Sequence, residues 1–410
     1  MRKKAITIFL LGAALLRAAT LRAEHPPRSP SPAAKAAAAL IQQGIAERTK
    51  GNFDAAIDLF TKAHQQNPKS TRPLVHRGQL LYDKHDLDGA IADFTTVLQG
   101  KKENRKALDG RARCYYEKGD LEKALDDAKG AIRVAPDDAD ALTLGGMIFH
   151  ERDDLEKALA ALNHALEKDP KHFEALLTRG QVYYESRTFA KALADFTTVL
   201  EIDPQNSEAL RFRGRTHYEL RESEKALADL TEAIRLAPKD AEAFVSRGLV
   251  YSDQENLDKA IADYSQAIQL DPANAEAFQN RAAAYVETRE LEKALADCNK
   301  AIQLDAEAAT DAYACRARVY LAKGDLEKAL ADCNELIRRD ADDAEAVYQR
   351  GCVYVAQKKW REAIADYTQA IRIDDTYAEA YSGRASAYDE IGDAAHADAD
   401  RAKADDLDSE

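Results

Sequence analysis

Apolar and polar positions along the chain recur with a period of 34 residues from Ala37 onward. The pattern is clearest in Ala241–Asn274, AEAFVSRGLVYSDQENLDKAIADYSQAIQLDPAN. Phe244, Gly248, Val250 and Tyr251 recur at helical spacing there. Gln254-Glu255-Asn256 interrupts them, and Leu257, Ala260, Ile261, Tyr264, Ala267 and Ile268 resume the pattern. Apolar residues three and four apart share one face of a helix, so each period predicts two helices joined by a short turn. Asn256 stands where a side-chain oxygen accepts from the first free N–H groups of the second helix. Asn52, Asp86, Asp120, Asp154, Thr188, Asp325 and Asp393 stand at the same place in their periods. Pro272, like Pro68, Pro136, Pro170, Pro204 and Pro238, ends the second helix because it has no N–H to continue it.

The periods run in phase at 37–70, 71–104, 105–138, 139–172, 173–206, 207–240, 241–274 and 275–308. After one inserted residue, Ala309, they continue at 310–343, 344–377 and 378–410. So regular a repeat overrides the two or three globular domains that 410 residues would otherwise suggest. The expected fold is all-α, a solenoid of about eleven helical hairpins. Two columns point to close packing. The position of Gly248 is Gly or Ala in every repeat, and that of Ala260 is always Ala. Glycine costs about 1 kcal/mol inside a helix, so its repeated use implies that helices must approach closely there. A third pattern pairs two columns. Arg247 and Asp263 have counterparts in most repeats, and the repeats that lack the Arg (at Gln43 and Gly145) also lack the Asp (at Leu59 and Ala161). An Arg–Asp bridge between the two helices of one repeat is expected.

The small residue, the aromatic three later (Tyr251), Ala260, Tyr264, Ala267 and Pro272 resemble the tetratricopeptide repeat at that family's spacing, over residues 37–410. The resemblance implies a right-handed α-solenoid whose concave face is lined by the first helix of each pair. Arg247 departs from it, standing where the family often has Leu.

Residues 1–36 differ from the rest. Arg2, Lys3 and Lys4 precede the apolar run Ala5–Leu16, and Leu21-Arg22-Ala23 offers a cleavage end. Residues 1–23 therefore read as a secretory signal peptide, or as an uncleaved anchor given Arg17 and Leu21 near the cut. Export to the periplasm or the medium follows, with membrane anchoring as the alternative. Residues 24–36, rich in proline at their start, read as an extended linker, and Ala33–Leu40 starts the first helix. The chain carries a net charge of −14. Residues 1–36 hold a net +6, so the repeats carry −20. That field repels a phosphate backbone, which disfavours nucleic acid and favours a protein partner with basic residues. None of the five cysteines forms a CxxC pair, so a zinc site is not expected. Cys298 and Cys333 read as small core residues, and Cys315 with Cys352 as a possible disulfide.

No HExxH, phosphate-binding loop, GxSxG or dinucleotide fingerprint occurs, so neither an enzyme nor a cofactor is expected. The histidines are scattered, and His217, in the column of Tyr251, reads as core. By the resemblance, the two residues after the Tyr251 column face the concave side. They are Tyr82-Asp83, Tyr116-Glu117, His150-Glu151, Tyr184-Glu185, Tyr218-Glu219, Ser252-Asp253 and Val286-Glu287. Tyrosine faces beside a ladder of acids suit an extended, basic peptide. The same pairs could instead pack and solvate neighbouring helices. Arg113, Arg215 and Arg318 interrupt the negative field and could grip a ligand carboxylate. The ladder ends at Leu321-Ala322 and Val355-Ala356, where the face turns apolar. Two functions follow: a non-catalytic scaffold that binds a protein segment, or a self-associating architectural rod of the cell envelope.

Overall fold

The computed structural model describes residues 31–307 and 309–407. The signal segment and most of the linker expected before the repeats lie outside those residues. The described residues fall into two compact units that divide after Val182.

In the N-terminal unit the helices are α1 Pro32–Thr49, α2 Phe53–Gln66, α3 Arg72–Asp83, α4 Leu87–Gly100, α5 Arg105–Glu117, α6 Leu121–Val134, α7 Ala139–Glu151 and α8 Leu155–Lys168. Helix α9, Phe173–Glu185, contains the division. The C-terminal unit continues with α10 Phe189–Ile202, α11 Ser207–Glu219, α12 Ser223–Leu236, α13 Ala241–Asp253, α14 Leu257–Leu270, α15 Ala275–Glu287 and α16 Leu291–Leu304. It ends with α17 Thr310–Lys323, α18 Leu326–Arg339, α19 Ala344–Ala356, α20 Trp360–Ile373, α21 Ala378–Glu390 and α22 Ala394–Leu407. The described residues contain no strand. Helix α1 begins at Pro32, capped by Ser31, so the last residues assigned to the linker are helical. Proline suits that first position because its missing N–H would have no partner there.

Within each unit every helix packs on its hairpin partner and on the next hairpin. First helices also touch the next first helix, as α3 touches α5 and α13 touches α15. The chain therefore stacks hairpins in sequence order, and odd-numbered helices form one continuous layer inside each unit.

Main-chain geometry sets the hairpin turn. Glu255 takes a left-handed conformation (φ 58°), as do Gly51, His85, Gly119, Asp153, Arg187, Arg221, Arg289, Gly324, Lys358 and Gly392 at the equivalent place. The turn closes through backbone bonds, Asn256 N–H to Tyr251 O and Glu255 N–H to Ser252 O, both 2.9 Å. The expected capping side chains act only in part. Asp86, Asp120, Asp154 and Asp393 accept from the second helix, whereas Asn52, Thr188, Asn256 and Asp325 do not. More regular caps precede the first helices. Asn104, Asp138, Asn206, Asp240, Asn274 and Asp343 accept from the N–H three residues on, and His172 does so through Nδ1 at 3.3 Å.

Each hairpin closes on a matched pair. A methyl group on Gly248 would lie 2.5 Å from Tyr264 Cε1, and one on Gly351 2.7 Å from Tyr367 Cε1. Phe60, Phe94, Leu162 and Leu230 fill the same place against Gly44, Gly78, Gly146 and Gly214. Where the first helix carries Ala112, Ala282 or Ala317, the second carries Ala128, Cys298 or Cys333. Through the tenth repeat one side is large only where the other has no side chain; in the last, an exposed Arg401 stands opposite Ala385. Ala260 and its counterparts are fully buried.

The Arg–Asp bridges form between the two helices of a repeat. Arg247 donates from Nε to Asp263 Oδ2 and from Nη2 to Oδ1, both at 2.8 Å. Arg77–Asp93, Arg111–Asp127, Arg213–Asp229, Arg281–Asp297, Arg316–Asp332, Arg350–Asp366 and Arg384–Asp400 repeat this geometry. The aspartates are buried and the arginines half-buried. A third partner comes from the preceding repeat. Arg281 Nη1 donates to Ser265 Oγ at 2.9 Å, Arg77 to Thr61 Oγ1 at 2.8 Å and Arg350 to Asn334 Oδ1 at 3.0 Å. Among the described residues Arg213 bonds only Asp229, whereas the arginines with a third partner tie their own hairpin shut and fasten it to the one before.

The five cysteines are free thiols. Cys315 and Cys352, which the sequence allowed to pair, are not linked and sit in different clusters. Cys315 packs with Cys298 and Ala282, and Cys352 beside Tyr367. His217 is buried, as its column implied, and its Nδ1 lies 2.6 Å from Glu222 Oε2. Helix α22 buries only Ala397, Asp400 and Ala404 and exposes the rest of its acidic surface. No described helix is long and apolar enough to cross a membrane.

Candidate functional site

The last turns of α3, α5, α9 and α11 carry the predicted tyrosine–acid pairs, and the structure connects them to the following repeats. Tyr116 donates its hydroxyl to Glu151 Oε1 at 3.2 Å, and Tyr184 to Glu219 Oε1 at 3.4 Å. Tyr82 stands likewise beside Glu117, and Tyr218 beside Asp253. Each of these tyrosines thus engages the acid of the following repeat and not a neighbour in its own helix. Burial, then the facing Glu151, pushes the Tyr116 hydroxyl up to about 12. Burial also raises Tyr82, Tyr184 and Tyr218, so all four remain protonated donors at neutral pH.

These tyrosines are half-buried, and so is His150. Asp83, Glu117, Glu151, Glu185 and Asp253 are exposed, and Glu219 is half-buried. A carboxylate has room for about four hydrogen bonds, so one hydroxyl leaves it free to accept more. The acids are therefore the accessible part of the ladder and the tyrosines its support.

The three arginines expected to grip a carboxylate are already engaged. Arg113 lies 3.6 Å from Asp109 and 3.5 Å from Glu174. Arg215 sits over the Tyr184 ring at 5.2 Å. Arg318 donates to Glu287 at 3.1 Å.

The N-terminal unit adds residues that the sequence pattern did not single out. A hollow of about 540 Å³ is bounded by Tyr82, Asp109, Arg113, Asp140, Lys171 and Glu174. A neighbouring one of about 420 Å³ is bounded by Arg48, His76, Asp83, Arg105, Lys106 and Asp109. This part of the face is therefore mixed in charge, not uniformly acidic as the ladder alone implied. Asp109 borders both hollows. Burial raises its pKa, with Arg113 and Arg105 opposing, and its Oδ1 is buried with no hydrogen-bond partner. Asp109 sits one turn before Arg113 on the same helical face, and that spacing was the available sequence signal. Among the described residues, no group of three or more His, Cys, Asp or Glu is placed to hold a metal ion.

Comparison with known proteins gives one answer about descent. Tetratricopeptide repeat models match residues 76–139, 146–213, 275–307 and 310–343, and a TPR repeat model matches 248–288 and 351–392. Together they span more than half of the chain. No curated protein matches. Among solved structures, the Cut9–Hcn1 hetero-tetramer of the APC/C aligns with a TM-score of 0.51 and 14% identity, over 91% of this chain and 87% of that one. A monomeric mutant of IFIT1, solved with Gppp-AAAA, aligns with a TM-score of 0.51 and 16% identity, over 82% and 90%. A tetratricopeptide repeat protein from Parabacteroides merdae aligns with a TM-score of 0.49 and 24% identity, over 61% and 98%. With hairpins of one length in both units and repeat models matched to most of them, the chain belongs to the tetratricopeptide repeat family.

Proposed function

We propose that the chain is a non-catalytic scaffold that binds an extended protein segment carrying basic residues on its first-helix face. Asp83, Glu117 and Glu151 present exposed carboxylates on α3, α5 and α7 of the N-terminal unit. The observation that carries the reading is Asp109, whose buried oxygen lacks a partner in a hollow beside that row. A lysine or arginine of a bound segment would supply the missing donor. An unmet buried acceptor costs about 1–3 kcal/mol, so filling it favours binding. Arg48, Arg105 and Lys106 at the neighbouring hollow select against a segment that is basic throughout. The best ligand has lysines spaced by neutral or acidic residues.

The test compares the full chain with the triple variant Asp83→Asn, Glu117→Gln and Glu151→Gln. The amides remove charge and keep an acceptor for the supporting tyrosines. Fluorescence anisotropy with a labelled Lys-Gly-Ser repeat peptide should show binding that weakens at least about tenfold in the variant and falls steeply with salt. Equal affinity in both proteins would exclude the site.

A further inference from the structure

The C-terminal unit holds an opening of different chemistry, where the acidic ladder has ended. A cavity of about 130 Å³ lies between α17 and α19, walled by Ala317, Leu321, Cys333 and Val353, with exposed Arg318 and Glu345 at its edge. Tyr348 and Cys352 complete the wall, and Gln349 brings a buried amide to it. Gln349 is 7% exposed, and its Nε2 donates to Glu345 Oε1 at 2.8 Å. That bond fixes the amide, since the flipped form would set oxygen against carboxylate oxygen. Gln349 Oε1 is thereby left in the wall with no hydrogen-bond partner. In the column of Gln349, Asn280 also leaves a buried amide atom unmet, but that atom is a donor, Nδ2. The same column holds Gly110, Leu144 and Gly383, and Ser246 returns its hydroxyl to Glu242 O at 2.7 Å.

An apolar cavity of about 150 Å³ accepts a guest the size of benzene, so this one admits a single aliphatic side chain. It is smaller than the roughly 300–1,000 Å³ of pockets that hold whole small ligands. Its occupant must be one group of something larger that lies outside. The unmet acceptor requires an N–H next to that group. We propose that this cavity anchors a leucine-sized aliphatic residue of an extended peptide, with an amide N–H of the peptide donating to Gln349 Oε1. The inference rests on the peptide-binding reading above for the kind of ligand, but not on the acidic ladder.

The test uses uncharged probes on the full chain, followed by ligand-observed NMR titration. The peptides are Ac-Gly-Ser-Leu-Ser-Gly-NH2 and its counterpart with alanine in place of leucine. N-isobutylacetamide and isobutyl acetate form an isosteric pair that differs in one N–H. The leucine peptide should bind at least about tenfold more tightly than the alanine peptide. The amide should exceed the ester about fivefold to tenfold. Gln349→Met removes the acceptor and keeps the shape. It should melt no lower than the parent, keep the leucine preference and lose the amide preference. Equal binding of the two peptides, binding of the fragments without the leucine peptide, or an amide preference that survives Gln349→Met would each overturn the proposal. Loss of lysine-peptide binding in the triple variant, with these results unchanged, would separate the two readings.

Discussion

At the level of single residues, the arginine column carries more than its spacing announced. Arg247 uses three nitrogens: two on Asp263 and Nη1 on Thr231 of the previous repeat at 3.4 Å. Asp263 is buried, so removing Arg247 strands a charge out of water. Arg247→Met should cost about 3 kcal/mol, near the lower end for breaking a buried pair, and Arg247→Met with Asp263→Leu clearly less than the two single losses together. Urea denaturation of the four proteins in the cycle checks this, and additive losses would contradict it. Asp109 gives a pH prediction. Its folded pKa is raised by burial, so the stability it contributes is present below the unfolded pKa and is lost as pH rises through the folded value. Asp109→Asn should therefore be more stable than the parent at pH 7, with the difference closing as pH falls toward 4, the ordinary range of an aspartate. Thermal melts across that range measure it. The same change should weaken lysine-peptide binding, since the oxygen that destabilises the fold is the one offered to the ligand.

At the level of the helical hairpin, size is matched across the two helices. Gly248 meets Tyr264, and Ala282 stands in register with Cys298. Gly248→Ala gains helix propensity of about 1 kcal/mol but forces a methyl group against the Tyr264 ring, and overpacking costs about 1–3 kcal/mol. The single change should lower stability. In a Tyr264→Cys background the same change should be neutral or stabilising. A glycine replacement with the same cost in both backgrounds would show that the ring is not the obstacle. The need for a small residue was legible in the columns, because every repeat is Gly or Ala there. The compensating partner was equally present, but it became visible only once the register of the two helices was known. Capping shows the reverse. Asn256 looked like a cap by position, yet the left-handed turn at Glu255 closes that end through the backbone. Asn274 caps the following first helix from the end of its repeat.

At the level of the whole molecule, helix packing within each unit joins hairpins that are neighbours in sequence, and a surface ion pair such as Arg113–Glu174 reaches one hairpin further. Excising Ala241–Asn274 should therefore leave a folded, helical chain. Asp240 would cap α15 in place of Asn274, and Arg281 would meet Thr231 in place of Ser265, a hydroxyl in either case. Circular dichroism should show unchanged helicity per residue and a cooperative melt, whereas excising half a period should abolish it. The 34-residue period by itself determined the all-α hairpin architecture, the helix phase and the paired columns, because helical periodicity and small-residue contacts are local in sequence. It could not determine which side chains remain available for a ligand. Tyr116 and Glu151 are 35 residues apart, and only their packing shows that the hydroxyl is already committed to that carboxylate. Asp109 and Gln349 look ordinary in the sequence. Tertiary structure alone leaves an oxygen of each buried without a donor, because whether a polar atom is satisfied depends on neighbours that no single repeat contains.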